Sequence, residues 1–262
     1  MFETINVETD TRGVATLWLD REAKHNAMSG QMIAELTQAA GALAKDQAVR
    51  VVVMAAKGKS FCAGADLGWM RDQFNAPPED RRKEAIKLAR MLQVLNTLPK
   101  PLIGRLHGNA FGGGVGLASV CDVAIGADHI RMGLTETRLG LIPATIGPYV
   151  CARMGEAKAR QVFMSGRVFD AAEAARLNLL ARVVPEGVLD QAIEMEVIPY
   201  LACAPGAVAR AKALTRRLGQ VIDDAVIADT IAELSACWDG KEAPEGINAF
   251  FEGHKPGWNT QD

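Results

Sequence analysis

Three short segments carry the residues that could do chemistry. Two are glycine-bearing turns, each of which follows an apolar, strand-like run: residues 61–67 (FCAGADL) and residues 111–116 (FGGGVG). The third segment, residues 132–143, holds the isolated carboxylate of Glu136. Glycine turns can offer backbone N–H groups that stabilise an oxyanion, and a nearby carboxyl group can move a proton. The sequence therefore predicts acid–base chemistry beside an oxygen that becomes negatively charged.

Glu136 is the candidate for the proton-transfer group. Apolar neighbours such as Met132 and Leu139 predict that it is buried, which would raise its pKa toward the range of a useful general acid. A salt bridge to Arg131 or Arg138 is the structural alternative.

Regular elements must position these segments. Residues 5–9 and 14–19 predict a hairpin, Ser29 is a candidate N-cap for a helix, and the apolar run 51–56 predicts a strand buried on both faces. Further predicted elements are a helix at 81–98, a strand at 101–106, a helix opening near Gly114 and a strand at 122–125. This alternation indicates an α/β fold with parallel pairing. Helices dominate after residue 155, the Pro-containing stretch 75–80 predicts an irregular loop, and a soft boundary is placed near residue 200.

Composition excludes several classes. The 262 residues are 49% hydrophobic, enough for one large core, and the net charge of −2 without a basic patch argues against nucleic acid. Apolar runs are too short for a membrane helix, and no leader pattern is visible, which predicts a cytoplasmic protein. The five cysteines form no CxxC pair or His/Cys cluster, so no metal site is expected and Cys62 is interpreted as a small buried hydrophobe.

Several motifs, in order and at compatible spacings, resemble the enoyl-CoA hydratase/isomerase (crotonase) superfamily. They are SFCAGADL at 60–67, FGGG at 111–114, ETRLGLIP at 136–143 and AAEA at 171–174, and the resemblance runs from about residue 5 to the tail. It implies the crotonase (ClpP-like) α/β fold of repeated ββα units, with residues 1–200 as the core and acyl-CoA site. It also implies that residues 201–262 form a helical oligomerisation segment and that the protein is a homotrimer or hexamer.

The same resemblance implies the site. The N–H groups of Ala65 and Gly113 would hold the thioester oxygen of an acyl-CoA substrate, and Glu136 would serve as acid and base. The other expected substrate or CoA contacts are Ala63, Asp66, Leu67, Gly112, Gly116 and Lys255, although Asp66 by itself reads as a cap or turn acceptor. No cofactor is expected beyond the CoA of the substrate.

One departure leaves the reaction open. Hydratases of this family commonly carry a second glutamate where this chain has Gly116, so a one-glutamate isomerase is an alternative to a hydratase. A branch acting on carboxylated substrates, the 3-methylglutaconyl-CoA and isohexenylglutaconyl-CoA hydratases, also resembles this chain, and Gly116 is expected to leave room for a substrate carboxylate or a water. A non-catalytic acyl-CoA-binding relative, an RNA-binding role and a nucleotide-binding glycine loop are weaker alternatives.

Overall fold

The computed structural model describes residues 2–260. The first residue of the predicted core (1–200) and the last two of the predicted oligomerisation segment (201–262) therefore lie outside the described residues. The larger of two sheets has six strands in the order β1-β2-β3-β5-β7-β10. Only the β1–β2 hairpin is antiparallel among its pairs, and β3 is buried along its whole length. The strands are β1 (Ile5–Thr9), β2 (Val14–Leu19), β3 (Val51–Ala56), β5 (Leu102–Leu106), β7 (Val123–Ala127) and β10 (Arg182–Val184).

A second, smaller sheet holds the site. Its order is β4-β6-β8-β9, with β4, β6 and β8 parallel to one another. Each of these three follows a strand of the large sheet, β3, β5 or β7, and β4 and β6 are each followed by helix. This confirms the predicted α/β fold of ββα units. The strands are β4 (Ser60–Cys62), β6 (Asn109–Phe111), β8 (Arg131–Gly133) and β9 (Val168–Asp170).

Helices cover the sheets and form most of the chain after residue 146. The predicted N-cap is confirmed, because the Ser29 hydroxyl accepts a hydrogen bond from the Met32 N–H. The helices are α1 (Gly30–Lys45), α2 (Leu67–Asn75), α3 (Pro78–Asn96), α4 (Gly113–Val120), α5 (Gly147–Met154), α6 (Glu156–Phe163), α7 (Ala171–Arg176), α8 (Leu189–Leu201), α9 (Pro205–Leu218), α10 (Asp224–Asp239) and α11 (Glu242–Glu252).

The prediction of an irregular loop at 75–80 is wrong. Helix α2 continues to Asn75 and α3 begins at Pro78, so only residues 76 and 77 separate them. Proline is tolerated in the first helical turn, where its missing N–H would have had no partner. The bend between α2 and α3 therefore consists of Ala76 and Pro77 alone, whose backbones are extended rather than helical.

The C-terminal helices pack on their own chain. Ile227 and Ile231 lie at helical spacing on α10 and are buried against Ala85 and Ala89 of α3. This apolar stripe is therefore no evidence for oligomerisation, and the trimer or hexamer stays a prediction from resemblance.

Candidate active site

The three sequence segments meet because they follow neighbouring strands. β4, β6 and β8 lie side by side and run in the same direction, so their carboxyl ends share one edge of the small sheet. Residues 63–66 follow β4, Gly112 follows β6, and residues 134–136 follow β8. Parallel strands thus bring together residues that are about seventy positions apart in the chain.

The two glycine turns present free N–H groups. Met28 pairs with the β4 turn on both sides of Ala65, because its N–H donates to the Gly64 carbonyl at 2.7 Å and its carbonyl accepts from Asp66 at 2.9 Å. Within residues 2–260 the Ala65 N–H itself donates to no acceptor. Gly113 is the first residue of α4, where an N–H has no partner inside the helix. Both predicted donors are therefore available to a ligand oxygen.

Met28 also contacts the second glycine turn. A Cβ atom on Gly113 would fall 1.7 Å from the Met28 methyl carbon, so any side chain at position 113 would have to displace the flexible end of Met28. Met28 thus contacts both turns, and its side chain lines the cavity in front of them.

The carboxyl group of Glu136 lies against the second turn. A Cβ atom on Gly112 would lie 3.0 Å from Glu136 Oε1 and 3.9 Å from the Gly64 Cα. Gly112 has φ +47°, in the left-handed region that favours glycine, and its N–H donates to the Gly133 carbonyl at 2.9 Å. The absence of a side chain at position 112 therefore lets the carboxyl group approach the donor turns.

Glu136 is an unpaired acid in the described part of the chain. Its Oε2 atom is buried and has no hydrogen-bond partner, and neither Arg131 nor Arg138 forms an ion pair with it. Burial raises the pKa of Glu136 to about 7, against the opposing effect of a backbone hydrogen bond. The predicted rise is confirmed, and the salt-bridge alternative is wrong. Such a carboxyl group is available both as acid and as base at neutral pH.

Helix α11 holds the turn that carries Glu136. Residues Glu136–Leu139 form one 3-10 turn that ends at Gly140, with φ +70°. A Cβ atom on Gly140 would lie 2.4 Å from the Glu242 carbonyl carbon, and one on Gly246 would lie 2.6 Å from the Leu139 carbonyl carbon. Gly140 after the turn and Gly246 in α11 thus allow the backbone of the turn that carries Glu136 to contact the backbone of α11.

A cavity of about 590 Å³ opens in front of the two glycine turns and the Glu136 carboxyl group. Its wall combines the turns, α2, α3 and α10, and most of its lining side chains are apolar. Of the predicted residues, those on the wall are Ala63, Ala65, Leu67, Gly112, Gly113 and Glu136.

Three predicted contact residues lie elsewhere. Asp66 caps α2 by accepting from the Trp69 N–H at 3.0 Å and pairs with Arg21 at 3.1 Å, as its interpretation as a cap required. The space expected above Gly116 is not there, since a Cβ atom would meet Ile146 Cγ2 at 2.5 Å. Ile146, not Gly116, lines the cavity. Lys255 is exposed beyond α11, and its contact with substrate or CoA stays a prediction.

Other wall residues carry no sequence signal. Gln73, Arg81 and Trp238 belong to α2, α3 and α10, and all three line the cavity. Nothing in one sequence shows that helices 150 residues apart face the same space.

Residues 2–260 contain neither a metal-ligand cluster nor a single helix that could cross a membrane. No group of three or more His, Cys, Asp or Glu residues is arranged to hold a metal ion. No single helix there has the length and apolar character needed to cross a membrane; one pair, Glu186–Leu201 with Pro205–Leu218, meets the criterion together but bends by 106°. Cys62 is buried, and burial raises its pKa to about 12, as a structural thiol requires.

Comparison with known proteins agrees with this geometry. The family model described as enoyl-CoA hydratase/isomerase matches residues 9–261. The crystal structure of an enoyl-CoA hydratase from Shewanella pealeana is similar to this chain at 35% identity and a TM-score of 0.81, covering 98% of this chain and 97% of that one. The enoyl-CoA hydratase of Mycobacterium smegmatis is also 35% identical, with a TM-score of 0.80 and coverage of 98% and 100%. The mouse mitochondrial methylglutaconyl-CoA hydratase is 29% identical over 264 residues, which is 96% of this chain and 81% of the mouse protein.

The fold and the family model define an acyl-CoA enzyme, and its candidate site combines two turns with unpartnered N–H groups and one buried carboxyl group. The chain belongs to the enoyl-CoA hydratase/isomerase family, the crotonase superfamily.

Proposed function

We propose that the protein adds water across the 2,3-double bond of an enoyl-CoA thioester and catalyses the reverse elimination. The observation that carries this proposal is the unpaired Glu136 carboxyl group against Gly112, at the edge where the Ala65 and Gly113 N–H groups are free. Similar proteins named enoyl-CoA hydratase support hydration as the reaction.

Each group has a defined task in this reaction. The thioester oxygen accepts hydrogen bonds from Ala65 and Gly113, and a donor of this kind typically contributes about 10²–10³ in rate. Water oxygen bonds to C3 while the π electrons move to the thioester oxygen as an enolate. Glu136 accepts a water proton and returns a proton to C2, so the product is the 3-hydroxyacyl thioester. The reaction draws only on protein groups, and we expect no cofactor beyond the substrate's CoA.

The test is product analysis with crotonyl-CoA. Hydration is followed as loss of the absorbance of the conjugated thioester, and incorporation of ¹⁸O from labelled water into the product identifies the added hydroxyl group. Glu136→Gln should form product far more slowly, and its matched control is Glu156→Gln, an exposed glutamate at the start of α6 that should retain wild-type activity. No consumption of crotonyl-CoA or longer 2-enoyl-CoA substrates would refute the proposal.

Double-bond isomerisation is the second candidate, because it needs a single carboxyl group that moves a proton between C2 and C4. The filled space above Gly116 favours it, since a second acid cannot stand there. Conversion of a 3-enoyl-CoA to the 2-enoyl isomer without ¹⁸O incorporation, faster than hydration, would select isomerisation. A binding-only protein would show neither reaction but would still bind acyl-CoA.

The finer parts of the proposal rest on resemblance. The mouse relative supports a 3-methylglutaconyl-type substrate and hence a role in leucine breakdown, with fatty-acid breakdown as the alternative. Assembly as a trimer or hexamer and a cytoplasmic location complete the proposal. A panel of enoyl-CoAs assayed side by side tests the substrate type.

A further inference from the structure

We propose that Arg81 and Gln73 form an anion-binding subsite in the cavity wall, which holds a carboxylate at the far end of the substrate's acyl group. This inference deepens the proposed function, because it concerns the acyl group and assumes that acyl-CoA occupies the cavity. Both side chains line that cavity.

The two residues lie on either side of the bend between α2 and α3. Gln73 is in the last turn of α2, and its backbone carbonyl accepts from the Ala76 N–H at 3.2 Å. Arg81 reaches back over the bend from α3, and its Nη1 donates to the Ala76 carbonyl at 3.0 Å. The bend therefore brings an amide and a guanidinium group to one part of the wall.

Gln73 has an unused buried polar atom. Its Oε1 is buried and has no hydrogen-bond partner within residues 2–260. Buried side-chain polar atoms are nearly always bonded, so an exception on a cavity wall points to a ligand or water. Rotation of the Gln73 side-chain amide by 180° puts its NH₂ group at the position of Oε1, where it would donate a hydrogen bond to an anion.

Arg81 carries a weakly compensated charge. Its side chain is only 16% exposed, and its one ion pair among residues 2–260, with Asp239, is long at 3.5 Å and involves a carboxylate that is 62% exposed. The guanidinium group lies over the Trp238 ring at 5.3 Å and uses two of its five N–H donors in the hydrogen bonds described. The remaining donors match the planar, two-oxygen geometry of a carboxylate.

The wall near the bend carries two arginines, Arg81 and Arg82, and two carboxylates, Glu84 and Asp239. Glu84 accepts from Lys87 at 2.6 Å and from the Trp69 indole at 3.3 Å. Arg82 also lines the cavity and forms no ion pair within the described residues. Because Glu84 is already paired with Lys87 and Asp239 is mostly exposed to solvent, the positive charge of the two arginines is only partly compensated, and this favours an anionic substituent over a hydroxyl group.

Equilibrium binding tests the subsite without catalysis. Isothermal titration compares glutaryl-CoA with valeryl-CoA, which have five acyl carbons each and no double bond to hydrate. The adipyl-CoA and hexanoyl-CoA pair repeats the comparison one carbon longer. We expect the wild-type protein to prefer the diacid thioester in at least one pair. Arg81→Gln should lower that preference by at least about tenfold, as expected for a lost charge-assisted hydrogen bond.

Three further variants separate recognition from folding. Arg81→Lys should keep part of the preference because it keeps the charge, and Gln73→Leu should lower it severalfold. Arg160→Gln, an exposed arginine on α6 paired with Glu156, is the matched control and should leave both affinities unchanged. If Arg81→Gln fails to fold, the diacid preference of Gln73→Leu tests the subsite in its place.

The proposal is overturned if the wild-type protein prefers the monoacid in both pairs. It is also overturned if Arg81→Gln and Gln73→Leu weaken both members of a pair equally. A preserved diacid preference in a protein that hydrates no enoyl-CoA would refute the proposed reaction and leave the subsite standing.

Discussion

Replacement of Glu136 by glutamine tests the central feature of the site. Glutamine keeps the shape of the side chain but cannot exchange a proton, so kcat should fall at least about 100-fold while KM changes little. The measurement is steady-state hydration of crotonyl-CoA at saturating concentration, or of the best substrate in the enoyl-CoA panel.

The same replacement should stabilise the protein at high pH. The pKa of Glu136 is about 7 in the folded protein and 4.5 in the ordinary carboxyl group, so the folded state binds more protons between these values. The stability that Glu136 contributes is therefore greatest below pH 4.5 and is lost as pH rises through 7, and the difference is roughly 3 kcal/mol. Glu136→Gln removes this loss. Its free energy of unfolding minus that of wild type should therefore be roughly 3 kcal/mol larger (more stable variant) at pH 8 than at pH 4.5.

Urea denaturation of both proteins at the two pH values measures this difference, with exposed Glu156→Gln as the control. A variant with kcat within tenfold of wild type would refute the assigned proton-transfer role. A stability difference that does not depend on pH would refute the argument that burial without a partner raises the pKa.

Three other outcomes are expected. Gly112→Ala places a methyl group 3.0 Å from Glu136 Oε1 at a residue with φ +47°, so kcat for enoyl-CoA hydration should fall at least about tenfold, and wild-type turnover would contradict the geometry. Gly116→Glu should not restore a water-activating group, because the collision with Ile146 should lower the free energy of unfolding by about 1–3 kcal/mol; a folded variant with faster crotonyl-CoA hydration would contradict this. Light scattering at micromolar concentration should give a trimer or hexamer, and a monomer would contradict the predicted assembly.

The sequence predicted the long elements and the chemically distinct residues. β3 is a continuous apolar run and α1 begins at a serine cap, so each has a local signal that the tertiary structure does not override. The pKa of Glu136 followed from its apolar neighbours in sequence.

The small sheet and the filled space above Gly116 could not be predicted from pattern alone. β4, β6 and β8 have three residues each, too few to show a period of two. Gly116 shows only that position 116 lacks a side chain, whereas the space above it depends on Ile146, thirty residues further along. Whether such a space is open or filled depends on packing between segments that are distant in the chain, and no local pattern in one sequence shows that packing.

The packing of α10 and α11 has a consequence for how the enzyme is made. Trp238 belongs to the cavity wall, and α11 supports the turn that carries Glu136, so the cavity needs segments that are synthesised after the glycine turns and the acid. Both glycine turns and the acid emerge from the ribosome while the helices that enclose them are still missing. A nascent chain that has formed both sheets thus lacks a closed acyl-CoA cavity, and activity should appear only when the last helices have docked.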